Sequence, residues 1–179
     1  MADVQEHEQT ERNEEYVVYP QHEQRTESEL FRHNKRQLVH EMNLPCFKCA
    51  TKFKPDNPPD SAYEHREVHH WLCEWAAWNA VDPMKVQNLL DSGFFDPYGF
   101  SAKMKGQPFD SPDDIRNLIV LCLECHRSSG VGIHHATAPE WLSDMVAKQG
   151  TDILLTRDEW LLLADGKAQL NDNGKLVQK

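Results

Sequence analysis

The stretch Arg116–His126 reads RNLIVLCLECH and decides the fold, because a short apolar run leads directly into two cysteines and a histidine. Leu118 to Leu121 contains two β-branched side chains, which predicts a short buried strand. Cys122 and Cys125 follow with the two-residue spacing that lets one turn point both thiolates at one metal ion. The rest of the chain is expected to pack around this strand and turn.

A second pair of cysteines with the same spacing, Cys46 and Cys49 in PCFKC, lies far upstream. Four such sulfurs can close a tetrahedral zinc site, whereas a single pair would also fit a redox motif or chance. Buried thiols or disulfides are the alternative, and we disfavour disulfides because the N-terminus carries no sign of a secretory signal. We therefore predict a structural Zn²⁺ held by four cysteines, with Cys73 as a small core residue.

Histidines and one asparagine accompany these motifs. Residues 67–70 read EVHH and predict a strand with two adjacent imidazoles, while Asn117 and His126 flank the second cysteine pair. With its EVHH element, its NLIVLC strand and the CLECH that opens a helix, the chain resembles the HNH (ββα-metal) endonuclease family. The resemblance is to the phage and bacterial subgroup braced by two CxxC pairs, and it covers roughly residues 45–135. It implies an α+β fold: a small ββα-metal, treble-clef-like core with a structural zinc, flanked by several α-helices.

The resemblance also implies a role for each of these side chains in hydrolysing DNA phosphodiester bonds. Adjacent strand residues point to opposite faces, so the two neighbouring histidines are not expected to do the same job. By resemblance, His69 and His126 bind the catalytic divalent metal, which is Mg²⁺ or another cation such as Mn²⁺, Ni²⁺ or Zn²⁺. His70 is then the general base, a role that suits an imidazole with a pKa near neutrality. Asn117 is expected to hydrogen-bond the backbone across the hairpin and to orient His70.

Two features depart from the family's pattern. The connection between His70 and Asn117 is long, so residues 71–113 are expected to be an insertion that affects substrate access. Some members carry a further histidine one helical turn after the His126 position, where this chain has Gly130. The following GIHHATAPEW resembles phage-type sequences, which makes His134 a candidate catalytic residue that reaches the metal or the scissile phosphate. The alternative for His134 is a helix-capping or packing role.

The chain divides into three parts by composition. Residues 1–25 are rich in Glu and Gln and predict a disordered acidic tail, residues 26–165 hold the nuclease domain, and residues 166–179 form a C-terminal tail. The C-terminal tail is either frayed or a small hairpin around Asn173-Gly174. Four helices are predicted: residues 27–42, Pro83 to near Leu90, residues 138–149, and Thr156 to about Ala164. Thr26 and Glu29 can form a capping box at the start of the first of these helices.

The net charge of −10 is unfavourable for a protein that binds a polyanion. Residues 1–30, however, hold nine acidic and two basic side chains, a net of −7, so the remainder carries −3. Residues 31–60 carry a net of +3, and Lys48, Lys52 and Lys54 could meet phosphates there, although such runs are more often a solvated face. The acidic tail is an inert solubilising segment, an intramolecular DNA mimic, or a docking segment for a basic protein partner.

Two functional hypotheses follow. The first is a metal-dependent HNH endonuclease acting on DNA, and the second is a catalytically inactive zinc-binding module for nucleic acid or protein. A phage toxin or anti-defence protein overlaps with both. No apolar run approaches the roughly 20 residues that cross a membrane, so no membrane partner is expected. The expected location is the cytoplasm of a bacterial or phage-infected cell.

Overall fold

The computed structural model describes residues 23–53, 57–135, 155–171 and 175–179. The predictions for residues 1–22, for Lys54, for the helix at 138–149 and for the Asn173-Gly174 turn lie outside these ranges. Within them the chain is a mixed α and β protein with two small two-stranded sheets. The helices are α1 (Glu29–Arg36), α2 (Phe47–Phe53), α3 (Pro83–Asp91), α4 (Phe100–Lys103), α5 (Leu123–Arg127) and α6 (Arg157–Ala164). The strands are β1 (Arg66–His70), β2 (Leu118–Cys122), β3 (Ala168–Leu170) and β4 (Leu176–Gln178).

An antiparallel pair of strands followed by a helix forms the centre of the molecule. β1 pairs with β2 in a register that sets His70 opposite Leu118 and Arg66 opposite Cys122. α5 begins at the residue after β2, so the turn that carries the second cysteine pair is also the start of this helix. The predicted strand at 118–121 is therefore present and extends through Cys122.

All five residues of β2 are buried because this strand has a core on each face. Side chains alternate along a strand, and Leu118 and Val120 accordingly pack with Val68, Phe31 and Leu38. Ile119 and Leu121 point the other way, into a second core that contains three of the four paired cysteines and Ala62. A strand covered on both sides needs a continuous apolar sequence, which explains the run LIVL.

The N-terminal helix begins later than the sequence suggests. α1 starts at Glu29 and continues as a π-helical segment, Gln37–Glu41. Its N-cap is Ser28, whose hydroxyl accepts a hydrogen bond from the Phe31 amide at 3.0 Å. The expected capping box of Thr26 and Glu29 is therefore wrong. The Ser28 hydroxyl also donates to Asp113 at 2.6 Å, and this partner 85 residues away favours Ser28 over Thr26 as the cap.

The long connection between β1 and β2 has a small core of its own. It contains a 3₁₀ helix (Trp75–Ala80), α3 and α4, and its buried apolar residues are Cys73, Val86, Leu90 and Phe109. α3 starts at Pro83, as predicted, and the Asp82 side chain caps it by accepting from the Met84 and Lys85 amides. This segment covers the end of the hairpin where the histidines lie.

The C-terminal part forms a helix and a hairpin. α6 has the predicted capping box, with Thr156 and Glu159 each accepting from the other's backbone amide. β3 and β4 pair antiparallel, with Ala168 opposite Gln178, so the segment forms a hairpin rather than a frayed tail. None of the helices in the described ranges is both long and apolar enough to cross a bilayer.

Candidate functional site

The two cysteine pairs meet, as the sequence predicts. The Sγ atoms of Cys46, Cys49, Cys122 and Cys125 all lie within 4.8 Å of one another. The Sγ of Cys49 is 3.9 Å from that of Cys122 and 3.6 Å from that of Cys125. In a regular tetrahedron with a zinc–sulfur distance of about 2.3 Å, the sulfurs are separated by about 3.8 Å. All four are free thiols, so the set fits a metal ion such as zinc.

The chain around the first cysteine pair is held by backbone contacts. The Cys46 amide donates to the Ala62 carbonyl at 2.7 Å, and α2 begins at the next residue. Lys48 lies between the two cysteines and is only 3% exposed, with its Nζ 3.4 Å from the Val131 carbonyl. Lys48 therefore does not belong to an exposed basic patch, because its ammonium group is directed inward. Cys73 packs in the separate small core, where burial raises its thiol pKa to about 11.

A second group of potential metal ligands lies at the end of the hairpin. His69 from β1, His126 from α5 and His134 from the loop after α5 have ligand nitrogens within 4.8 Å of one another. The Nε2 atoms of His126 and His134 are 3.1 Å apart. Two imidazoles on one tetrahedral ion, with metal–nitrogen distances of about 2.0–2.1 Å, have nitrogens about 3.4 Å apart. These three side chains therefore also fit a metal ion.

A tight turn brings His134 to this group. α5 ends at Arg127, and the chain then folds back so that the Gly132 amide donates to the Ser128 carbonyl and the Ile133 amide to the Cys125 carbonyl. A Cβ at Gly132 would lie 2.8 Å from the Ser128 backbone, so the turn requires glycine. The short helix followed by SSGVG is therefore what carries His134 back beside His126.

The surroundings of His69 and His134 favour the neutral, metal-binding form of their imidazoles. Burial, together with the neighbouring His126 and His134, lowers the pKa of His69 to about 3. Burial and His126 also lower the pKa of His134. A neutral imidazole keeps a lone pair available for a cation.

Glu67 fixes the orientation of His126. Its Oε2 lies 2.6 Å from Nδ1 of His126 and accepts a hydrogen bond from Nε of Arg127 at 2.7 Å. A proton on Nδ1 leaves Nε2 of His126 as the ligand nitrogen, and Nε2 is the atom that faces His134. Glu74 lies on another side of the group, with its Oε1 3.5 Å from Nε2 of His69.

The three histidines line a cavity of about 520 Å³ that His70 also borders. Cationic side chains surround its mouth together with acidic partners. Lys35 pairs with Glu27 at 3.2 Å, and the Arg25 guanidinium lies 5.3 Å from the centre of the Phe31 ring. The cavity is large enough for a phosphodiester group, and its rim holds Arg25, Lys35 and Arg127.

His70 lies on the opposite face of β1 from His69. Its ring packs against Phe31, with 5.6 Å between ring centres, and its Nε2 lies 2.8 Å from Oδ1 of Asp113.

Asn117, which is fully buried, accepts hydrogen bonds at Oδ1 from the Leu72 and Cys73 amides. Its Nδ2 donates to the Cys73 and Pro112 carbonyls. Asn117 thus binds backbone just beyond β1, while the side chain that contacts the His70 imidazole is Asp113.

Three acidic residues of this site were not identified from the sequence. Glu67 has the one available signal, because it precedes His69 by two residues and therefore shares its strand face. Asp113 and Glu74 come from the long connection, and nothing in their neighbours indicates which strand residue they reach. Comparisons of the chain with protein-family models, with curated proteins and with solved structures find no match.

Proposed function

We propose that this chain is a metal-dependent endonuclease of the HNH type that hydrolyses phosphodiester bonds in DNA, with a structural zinc on its four cysteines. The observation that carries the proposal is the convergence of His69, His126 and His134 at one point beside a cavity that His70 also borders. A strand, a helix and a loop each supply one imidazole, and imidazoles that converge in this way are typical of a transition-metal site.

In the proposed reaction His70 takes a proton from a water molecule. The water oxygen forms a bond to phosphorus as the bond from phosphorus to the 3′ oxygen breaks, and the leaving oxygen takes a proton from solvent. A bound divalent cation would supply Lewis-acid stabilisation of the charge that develops on the phosphate oxygens. The cationic side chains at the rim attract the phosphate backbone, and their acidic partners limit this attraction.

The ligand set bears on which cation is bound. Mg²⁺ prefers oxygen ligands in octahedral geometry, whereas imidazole suits Zn²⁺, Ni²⁺ and other transition metals. The two carboxylates beside the three histidines are that of Glu67, which already contacts His126 and Arg127, and that of Glu74, 3.5 Å from His69. A site of three imidazoles therefore favours Zn²⁺ or Ni²⁺ over Mg²⁺ at this position.

Substituting Glu67 tests the histidine site without removing a ligand. We expect Glu67→Gln to weaken binding of the second metal by about 10- to 100-fold, because the amide holds the Nδ1 proton of His126 less strongly than a carboxylate does. Titration of the zinc-loaded protein with Ni²⁺ in a calorimeter measures this change. Glu64→Gln, which alters an exposed acid near the start of the same strand, is the control and should bind Ni²⁺ like the wild type.

The nuclease activity is tested with supercoiled plasmid and added Mg²⁺, Mn²⁺ or Ni²⁺. The wild type should nick the plasmid, and His70→Ala should reduce the rate by about 10²- to 10⁴-fold, the range for loss of a general base. His33→Ala, which removes an exposed imidazole from α1, should cut normally. Equal nicking by wild type and His70→Ala would contradict the assignment of the base.

The deep burial of His70, which is 3% exposed, is the observation that favours the alternative of a catalytically inactive module. A base must reach its water, and a closed site would prevent this unless the cavity beside it admits solvent. Absence of nicking with every metal, in protein that still binds DNA, would support the inactive module.

A further inference from the structure

Asp113 is the most completely held acidic side chain near the proposed reaction centre. It lies in the turn before β2, and its side chain is 8% exposed beside the His70 side chain, which is 2% exposed. A carboxylate buried to this degree is costly unless hydrogen bonds compensate for the lost water. The hydrogen-bond partners of Asp113 therefore indicate which role its carboxylate has.

Every polar group of Asp113 has a partner. Oδ1 lies 2.8 Å from Nε2 of His70, and Oδ2 accepts from the Ser28 hydroxyl at 2.6 Å. The Asp113 amide donates to the Ser111 hydroxyl at 3.1 Å, and its carbonyl accepts from Nδ2 of Asn34 at 2.8 Å. The carboxylate is therefore held between His70 and the N-cap of α1, and the Asp113 backbone is held by Ser111 and Asn34, so the carboxylate has little freedom to leave the imidazole.

The charge state of Asp113 decides which nitrogen of His70 carries a proton. Burial by itself would raise the Asp113 pKa, but the hydrogen bonds from His70 and Ser28 outweigh burial and lower it. Asp113 is then an ionised carboxylate at neutral pH, and an ionised carboxylate only accepts hydrogen bonds. Nε2 of His70 must be the donor, so in the neutral ring Nδ1 is the unprotonated nitrogen.

We propose that Asp113 is a positioning residue for His70: it holds the imidazole in the Nε2–H tautomer, so that Nδ1 receives the proton from the attacking water. This inference rests on the proposed function, in which His70 is the general base. When Nδ1 takes the proton the ring becomes a cation, and the negative charge of Asp113 lies where it offsets that cation. A carboxylate also orients the imidazole base in serine hydrolases, although there it accepts from Nδ1–H and the basic nitrogen is Nε2.

Two residues of the α1 segment hold Asp113 in place. Ser28 caps α1 and also donates to the carboxylate, and Asn34 on the same helix donates to the Asp113 carbonyl. α1 therefore supports the base through Asp113 as well as through the contact of Phe31 with the His70 ring. Ser28→Ala keeps the charge of Asp113 but removes one of its two side-chain partners, so it should lower activity less than a change of Asp113 itself.

The experiment compares single-turnover plasmid cleavage by wild type, Asp113→Asn, Ser28→Ala and His70→Ala. Asp113→Asn should cut about 10²- to 10⁴-fold more slowly at saturating DNA, while the DNA concentration that gives half the maximal rate stays within about twofold, because the residue acts on the base and not on substrate binding. Asp110→Asn, an exposed acid in the same loop, is the matched control and should cut normally. A purely structural role would instead lower the melting temperature and the metal content of Asp113→Asn together with its rate.

A second measurement uses only the wild-type protein, so it does not depend on whether a variant folds. ¹⁵N spectra of the imidazole nitrogens in the wild-type protein should show His70 as the Nε2–H tautomer, and an Nδ1–H tautomer would overturn the proposal. If wild type cuts and His70→Ala does not, but Asp113→Asn cuts normally, the positioning role alone is wrong. If the wild type does not cut with any metal, the nuclease proposal fails and the positioning role fails with it.

Discussion

Replacing Cys125 by serine is expected to remove the tightly bound metal and, with it, the cooperative unfolding transition of the protein. Structural zinc contributes about 10–16 kcal/mol of apparent binding free energy in small zinc domains. The net stability of a whole domain is only about 5–15 kcal/mol. A metal on the four cysteines would thus contribute as much as the entire stability, and its loss should unfold the domain.

The position of the cysteines makes this effect larger. Cys46, Cys122 and Cys125 form one core with Ile119 and Leu121, the side chains that cover one face of β2. Four thiols without a metal leave polar sulfur groups and mutual repulsion of thiolates in the middle of that core. Loss of the metal therefore also disturbs the strand that pairs with β1, and the histidine group should separate.

Elemental analysis and circular dichroism during heating measure the outcome. The dialysed wild type should contain about one zinc per chain, and Cys125→Ser should contain almost none and melt without a sharp transition. Cys73→Ala is the matched control, because Cys73 is equally buried at 7% but packs in the separate small core. A Cys125→Ser protein that melts like Cys73→Ala would show that no structural metal is bound.

Elements whose signals lie within a few neighbouring residues were predicted well from the sequence. β2, the start of α3 at Pro83 and the capping box of α6 each depend on side chains no more than four positions apart. The meeting of the two cysteine pairs is confirmed as well, because four residues with one shared chemical requirement limit the possible arrangements. Short-range sequence signals and the ligand preference of zinc were therefore enough to predict these elements and the cysteine cluster.

What the sequence did not reveal depends on contacts between distant segments. Thr26 and Ser28 are both acceptable helix caps by local rules, and the choice is decided by Asp113, far along the chain. Asp113 itself lies in a polar loop sequence with no periodicity to indicate its partner. For His134 the sequence left two roles open, and its place beside His126 became evident only from the turn at Gly132.

The second large effect is expected for His126→Ala, which should lose the second metal and reduce DNA cleavage to background while retaining the zinc on the cysteines. His126 lies between the other two imidazoles and Glu67, so its removal breaks both the ligand set and the contact that orients it. Loss of a residue that merely orients a ligand costs about 10- to 100-fold in metal affinity, so loss of a ligand should cost more than about 100-fold.

The fold should survive this substitution. His126 sits at the end of α5 near the cavity, and Glu67 keeps Arg127 as a partner at 2.7 Å, so no buried carboxylate is left alone. This separates His126→Ala from Cys125→Ser, although the two residues are neighbours in the sequence. The melting temperature of the zinc-loaded protein should therefore change little when His126 is replaced.

Cobalt substitution distinguishes the two sites in one spectrum. Co²⁺ on four thiolates gives an intense sulfur-to-metal charge-transfer band, and Co²⁺ on imidazoles does not, so the wild type should show both kinds of site and His126→Ala only the thiolate site. His135→Ala, the neighbour of His134 outside the ligand group, should retain both sites and cut plasmid normally. Unchanged cobalt binding and unchanged cleavage in His126→Ala would rule out a catalytic metal on these histidines, because no other described group of three ligands lies at the end of the hairpin.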